Sequence, residues 1–214
     1  MKQIAIVDYG LGNLFSVERA LRAAGAEPRI TSEVADLRAA DAVVIPGVGA
    51  FGEGMQNLQR LGLVPVIQEL AHAGKPTLGI CLGMQLLMDE SEEFGRWPGL
   101  GLIPGRVVKF EPPSTGRVKI PQIGWNSIET PAEGDVSRWD GTLLDGIQPG
   151  AFVYFVHSYA VQTAESTHLL AETEYGGIRF ASVAARDNVM GCQFHPEKSA
   201  DAGLTLLQNF LASV

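Results

Sequence analysis

Cys81 stands two residues after Gly79 and two residues before Gly83, in the run Gly79-Ile80-Cys81-Leu82-Gly83-Met84-Gln85. A strand-like segment, Pro76 to Ile80, leads into it, and a helix-like run from Leu82 to Ser91 leads out. This is a thiol version of the nucleophile elbow, in which the reactive side chain sits on a tight strand-to-helix turn. The glycines follow from that geometry, because side chains at the flanking positions would clash. The pattern predicts a sulfur held over a helix N-terminus, where the dipole and free N–H groups favour the thiolate.

A thiol nucleophile needs a base. His195 supplies one in Gln193-Phe194-His195-Pro196-Glu197-Lys198-Ser199. Read as an extended stretch, this segment projects His195 and Glu197 from the same face. A carboxylate beside the imidazole would fix its tautomer and stabilise the imidazolium. Cys81, His195 and Glu197 are therefore the candidate nucleophile, base and orienter, and their distance along the chain is no obstacle because triads assemble in space.

The elements that must position these groups fall into two halves. In the first, Gln3 to Asp8 reads as a buried strand. Leu14, Val17 and Leu21 recur at helical spacing, and Gly25 sits where a helix C-terminus wants glycine. Ala42 to Ile45 is the next strand, followed by helices around Met55 to Arg60 and Val64 to Ala73, and then by the strand and helix flanking Cys81. Such alternation predicts an α/β fold with a mostly parallel central sheet and helices on both faces. In the second half Arg106 to Phe110, Phe152 to Val156, His168 to Ala171, Phe180 to Ala185 and Val189 to Phe194 read as additional, antiparallel strands. Gly/Pro/Asp-rich pieces such as Glu111 to Gly116 separate them. A last helix from Ala200 to Leu211 carries Leu204, Leu207 and Leu211 on one face.

The 214 residues, 46% hydrophobic and 19% charged, suit a globular protein, most simply one domain over residues 1–214. A net charge of −8 argues against nucleic acid or an anionic membrane surface as the main target. Met1-Lys2-Gln3 runs straight into a strand with no secretory signal pattern. The longest apolar stretch, Leu78 to Met88, is far short of the ~20 residues of a membrane-spanning helix. Cys81 and Cys192 are expected as free thiols in a reducing cytoplasm. With no cysteine–histidine cluster at metal-ligand spacing, no metal is expected.

The elbow together with His195-Pro196-Glu197 resembles the class I, or triad, glutamine amidotransferases. Asp8 to Ser16, Pro46 to Phe51, Gly124-Trp125-Asn126, Tyr154 to Tyr159 and Gln193 to Ser199 narrow the resemblance to the glutaminase subunits of imidazole glycerol phosphate synthase. It covers nearly the whole chain. The resemblance implies hydrolysis of L-glutamine without a cofactor and transfer of the ammonia to a (β/α)8 cyclase partner in histidine biosynthesis, as a heterodimer. It implies that Cys81 attacks the carboxamide, that His195 protonates the departing ammonia, and that water hydrolyses a glutamyl thioester. The oxyanion donors would be the N–H of Leu82 and one from the Gly47-Val48-Gly49 turn. Gln85 and Glu93, with Gly49, Ser158 and Tyr159, would recognise the substrate. Asn13, Ser16, Lys119, Trp125, Tyr154 and Lys198 would face the partner.

Val48 stands where the wider family usually has glycine. A β-branched residue resists positive φ, so the expectation is an oxyanion hole incomplete at rest and a subunit switched on by its liganded partner.

Other readings stand beside these. Cys192, with no glycine bracket, reads as core. His157 reads as structural or as part of a substrate loop, and His72 and His168 as surface or element-end residues. Gly10-Leu11-Gly12-Asn13 lacks the third glycine of a dinucleotide-binding turn, since Phe15 stands there, so a tight turn into the helix explains it as well. Without the resemblance, Trp125 reads as a core aromatic and Glu92-Glu93 as a solvated face. Rival functions are an amidotransferase serving another synthase, such as that for pyridoxal phosphate, a subunit that keeps the fold but not the reaction, and a free-standing thiol hydrolase of γ-glutamyl peptides.

Overall fold

The structure, a computed structural model, describes residues 1–111, 118–131 and 136–214. The turn-rich piece from Pro112 to Gly116 lies outside the described residues. The strands are β1 (Gln3–Val7), β2 (Glu27–Thr31), β3 (Ala42–Gly47), β4 (Thr77–Cys81), β5 (Glu90–Ser91), β6 (Trp97–Pro98), β7 (Gly105–Lys109), β8 (Gln122–Ile128), β9 (Ala151–His157), β10 (Tyr159–Thr163), β11 (Leu169–Tyr175), β12 (Ile178–Arg186) and β13 (Val189–Cys192). The helices are α1 (Leu14–Ala23), α2 (Val34–Ala39), α3 (Phe51–Arg60), α4 (Leu63–His72), α5 (Leu82–Leu86) and α6 (Ala200–Ala212).

The main sheet runs β2-β1-β3-β4-β13-β12-β10-β7-β5-β6, with β11 also on β12. Its first five strands are parallel, and from β12 onward antiparallel pairing takes over apart from the β5–β7 pair. This is the expected α/β architecture. The separate antiparallel pair β8–β9 matches Gln122 to His157 through Ile128 to Ala151.

Alternation along the buried strands divides the core between the two faces of the sheet. Ile4, Ile6, Val44, Leu78 and Ile80 point to one face, where Val17 and Leu21 of α1 and Leu206, Leu207 and Phe210 of α6 cover them. Ala5, Val7, Val43 and Ile45 point to the other, beneath Leu37, Phe51, Leu58, Ile67 and Leu86 of α2 to α5.

Three expectations are corrected. The helix after Cys81 ends at Leu86, and Glu90–Ser91 pairs instead as β5, because Asp89 is drawn into the β7 region: its backbone N–H donates to Gly105 and its carboxylate accepts the Gly105 N–H at 2.9 Å. The buried face of α6 is Gly203, Leu206, Leu207 and Phe210, with Leu204 and Leu211 half-buried at its flanks. His195 to Glu197 is not extended. Pro196, with its fixed φ, opens a 3-10 turn over Pro196–Lys198.

Candidate active site

Cys81 is the last residue of β4, and its backbone lies at φ 55° and ψ −110°. A non-glycine residue holds such a conformation only where its surroundings impose it. The two glycines of the bracket make room for it. A Cβ on Gly79 would lie 2.6 Å from the backbone carbon and oxygen of Gly83, and a Cβ on Gly83 would lie 1.6 Å from the carbonyl oxygen of Ile45. The expected clash is therefore real on both sides of the turn. The helix dipole behind the sulfur is smaller than the sequence suggests, since α5 has five residues.

Groups from distant parts of the chain converge on Cys81 because the parallel strands end together, at the carboxyl edge where open α/β sheets place their ligands. In the β3–β4 ladder Gly47 is the direct partner of Cys81, so the Gly47-Val48-Gly49 turn lies beside Cys81. Gly49 has φ 118°, whereas Val48 is not among the residues with positive φ. Leu82 opens α5, so its N–H has no intrahelical acceptor. The turn is held at both ends. The Tyr9 hydroxyl, from just past β1, donates to Pro46 O at 2.7 Å, and Phe51 N–H donates to the Glu93 carboxylate at 2.6 Å.

His195 lies beyond β13. Its main-chain N–H donates to Tyr154 O at 2.9 Å, and Ser199 Oγ donates to its carbonyl at 2.6 Å while accepting the Tyr154 N–H at 3.0 Å. Its Nδ1 lies 2.8 Å from Glu197 Oε1 with both side chains buried. The 3-10 turn thus achieves the pairing assigned to an extended strand. Among the described residues, buried Nε2 has no hydrogen-bond partner within normal distance. Burial alone would push the imidazole down. Cys81 and Glu197 beside it override that effect and raise it from the ordinary 6.5 to about 10.

Val48, Gly49, Cys81, Leu82, Gln85, Glu93, Ser158 and Tyr159 line one cavity of about 250 Å³, joined by Pro121, Val156 and His157. Every residue singled out for the oxyanion or the substrate is in it. Glu93 is buried rather than solvated, and burial raises its carboxyl, opposed by the Phe51 N–H. The Gln85 amide nitrogen donates to Tyr159 O at 3.1 Å and to Gln193 Oε1 at 3.0 Å. His157 bonds Tyr159 O through Nδ1 at 2.9 Å within a group of Phe110, Phe155 and Phe180 rings. A carbonyl only accepts, so Nδ1 carries the proton; burial pushes this imidazole down to about 4 and keeps it neutral. Sequence reasoning missed Tyr9, Phe51, Pro121 and Gln193. Gln193 alone carries a local signal, lying two residues before His195.

Behind His195 the exposed surface is aromatic. Trp125, on β8, is 52% exposed and packs edge-on against Tyr154, on β9, at 6.1 Å between ring centroids. Lys198 Nζ lies 5.4 Å from the Tyr154 ring. Trp125 is thus not the core aromatic its residue type suggests. Asn13 and Ser16 stand at the start of α1, which packs against the Pro196–Lys198 turn, and Lys119 is exposed with its carbonyl accepting the Tyr175 hydroxyl. Among the described residues, no hydrogen bond or ring contact joins these three to the Trp125 cluster. Gly10 and Gly12 have φ of 85° and 128°, the geometry of a tight turn into α1. Cys192 is fully buried, and burial raises its thiol. Among the described residues, no group of three or more His, Cys, Asp or Glu could hold a metal, and no helix is long and apolar enough to cross a membrane.

Residues 5–214 match the family model described as glutamine amidotransferase class-I. The chain is 50% identical to the imidazole glycerol phosphate synthase subunit HisH of Methanosarcina mazei, over 99% of this chain and 98% of that protein. It is 48% identical to the subunit of the same name from Symbiobacterium thermophilum, over 98% and 93%. Among solved structures it is similar to PurLQS from Thermotoga maritima, with a TM-score of 0.72 at 18% identity over 99% of each chain. That last likeness bears on the fold alone.

Proposed function

The chain belongs to the class-I glutamine amidotransferases, and on that premise we propose that it is the glutaminase subunit of an imidazole glycerol phosphate synthase. The relatives at 48% and 50% identity, matched over nearly their whole length, are named imidazole glycerol phosphate synthase subunit HisH. The observation that carries the chemistry is the buried His195–Glu197 pair at 2.8 Å, with the ring interacting with a strained Cys81.

L-Glutamine enters the cavity with its α-amino and α-carboxyl groups toward Glu93, Gln85, Ser158 and Tyr159. Cys81 Sγ attacks the side-chain carboxamide carbon, and the oxyanion forms against the Leu82 N–H and the Gly47-Val48-Gly49 turn. His195 donates its proton to the departing ammonia, leaving a glutamyl thioester. Water deprotonated by the same imidazole then attacks the thioester and releases glutamate. Glu197 holds the ring and stabilises its charged form throughout.

The ammonia passes to a (β/α)8 cyclase subunit docked on the face bearing Asn13, Ser16, Lys119, Trp125, Tyr154 and Lys198. Tyr154 supports this reading because it belongs to the exposed cluster and also accepts the His195 N–H. Docking thereby bears directly on the base. Val48, off positive φ, leaves the oxyanion hole incomplete until the partner and its ligand turn the peptide. One missing oxyanion donor costs about 10²–10³ in rate, enough for a switch. The test is glutamate release by the purified chain with and without the cyclase subunit and its nucleotide ligand, with Cys81→Ala as blank. Release that needs the liganded partner and Cys81 supports the proposal. Full release by the chain alone overturns the partner-controlled part, and release by the variant overturns the triad.

A further inference from the structure

Gln193 is fully buried, and no role assigned so far uses it. Its neighbours dictate which way its carboxamide faces. The backbone carbonyl of Tyr159 can only accept, so Gln85, 3.1 Å away, must present its NH2 there. The same NH2 lies 3.0 Å from Gln193 and requires an acceptor, so Gln193 turns its oxygen toward Gln85. That leaves the Gln193 NH2 facing Cys81 Sγ at 3.8 Å. Flipping either amide would set donor against donor or acceptor against acceptor, and one orientation satisfies the whole chain. The backbone braces it as well, since Gln193 N–H donates to Ser182 O on β12 at 2.9 Å.

The sulfur therefore has two polar neighbours with opposite demands. Val156 O, at 3.7 Å, can only accept and is satisfied by the thiol. The Gln193 NH2 can only donate, and it gains most when the sulfur carries charge. We propose that Gln193 is a positioning residue for the nucleophile, oriented by Gln85 to donate a hydrogen bond that aims the Cys81 sulfur and stabilises its thiolate. The substrate cavity and the sulfur then share one hydrogen-bonded chain running Tyr159, Gln85, Gln193, Cys81. This rests on the reading of Cys81 as the nucleophile.

The test is alkylation of the full chain by iodoacetamide across pH, with adducts assigned to Cys81 or Cys192 by peptide mass. Gln193→Met keeps the length of the side chain and removes the donor. The titratable groups that face the sulfur, Tyr9, Cys192 and His195, are left in place. Near neutral pH the variant should alkylate at Cys81 about three- to tenfold more slowly, the scale of one hydrogen bond. The gap should close at high pH, where both proteins present thiolate. Equal rates at every pH would overturn the proposal. So would a slowdown by one constant factor at every pH, which reports access to the sulfur and not its charge. Labelling of Cys192 signals loss of the fold. In that case Gln85→Met, which leaves Gln193 unoriented, must show the same closing gap, and equal rates there overturn the proposal. Failure of the underlying reading looks different: Cys81→Ala would then retain glutamine hydrolysis with the liganded partner, whatever the alkylation rates.

Discussion

The carboxylate of Glu93 accepts the main-chain N–H of Phe51 at 2.6 Å, so one side chain lines the cavity beside Cys81 and caps α3 just after the Gly47-Val48-Gly49 turn. A carboxylate at a helix N-terminus satisfies an orphan donor and complements the dipole. Substrate contact at Glu93 is thereby linked to the segment proposed to complete the oxyanion hole. Glu93→Ala should lower kcat as well as raise KM for glutamine, with kcat/KM falling roughly 10- to 100-fold for one lost charge-assisted hydrogen bond. Glu93→Gln keeps an acceptor for Phe51 and should act mainly on KM. Steady-state kinetics of the assembled enzyme separates the two. An unchanged kcat in Glu93→Ala would break the link.

Titration of His195 should depend on both of its neighbours. The folded value of about 10 lies above the ordinary 6.5, so this group adds stability that is fully present below 6.5 and lost as pH rises through 10. Cys81→Ala and Glu197→Gln should each move the ring's NMR titration midpoint downward, with the larger movement in Cys81→Ala. His157 runs the other way: held neutral down to about 4, it contributes stability that is present above 6.5 and lost as pH falls through 4.

Two glycines with different constraints should respond differently to alanine. Gly83→Ala drives a Cβ onto the backbone of Ile45 and should cost several kcal/mol (~3 or more), or prevent folding. Gly25, at φ 101°, has nothing within 4 Å of its would-be Cβ. Gly25→Ala should therefore cost only about 1 kcal/mol, from backbone strain. Urea denaturation of both variants measures the difference.

The candidate site is legible where its signal is local. Gly79 and Gly83 announce Cys81 because the clash they avoid lies within four residues and one adjacent strand. His195 and Glu197 announce each other at two residues' spacing, although the turn that joins them is 3-10 and not extended, because proline geometry prevails over the extended pattern. The sequence pattern carries the helix after Cys81 through to Ser91 because Leu86, Leu87 and Met88 continue its apolar run. Pairing with β7, remote in sequence, ended it. β2 and α2 went unread for want of a clear period in Glu27 to Ala39. Tyr9 and Gln193 act through a single hydroxyl and a single amide reaching another strand, which no periodicity encodes. The burial of Glu93 was invisible for the same reason, since two adjacent glutamates look like surface until Phe51 is brought over one of them.

Removal of the Tyr9 hydroxyl tests whether the turn is held at its other end. Tyr9→Phe leaves Pro46 O buried without its donor and should cost about 1–3 kcal/mol of stability, read by denaturant unfolding. A loss within error would mean that the clamp on Pro46 carries no weight.

On the face proposed to meet the partner, Trp125→Ala should weaken binding of the cyclase subunit by about 2 kcal/mol or more, as an exposed aromatic anchor does. Calorimetric titration against the cyclase measures it. The rate of Cys81 alkylation in the free chain should stay unchanged, because Trp125 does not line the cavity.

The most direct test of the triad is mass spectrometry of the assembled enzyme, acid-quenched during turnover of glutamine. A glutamyl adduct on the peptide containing Cys81 is expected, absent in Cys81→Ala. It should fade as glutamine is exhausted. Steady glutamate release with no adduct at Cys81, or with an adduct on another residue, would contradict the account.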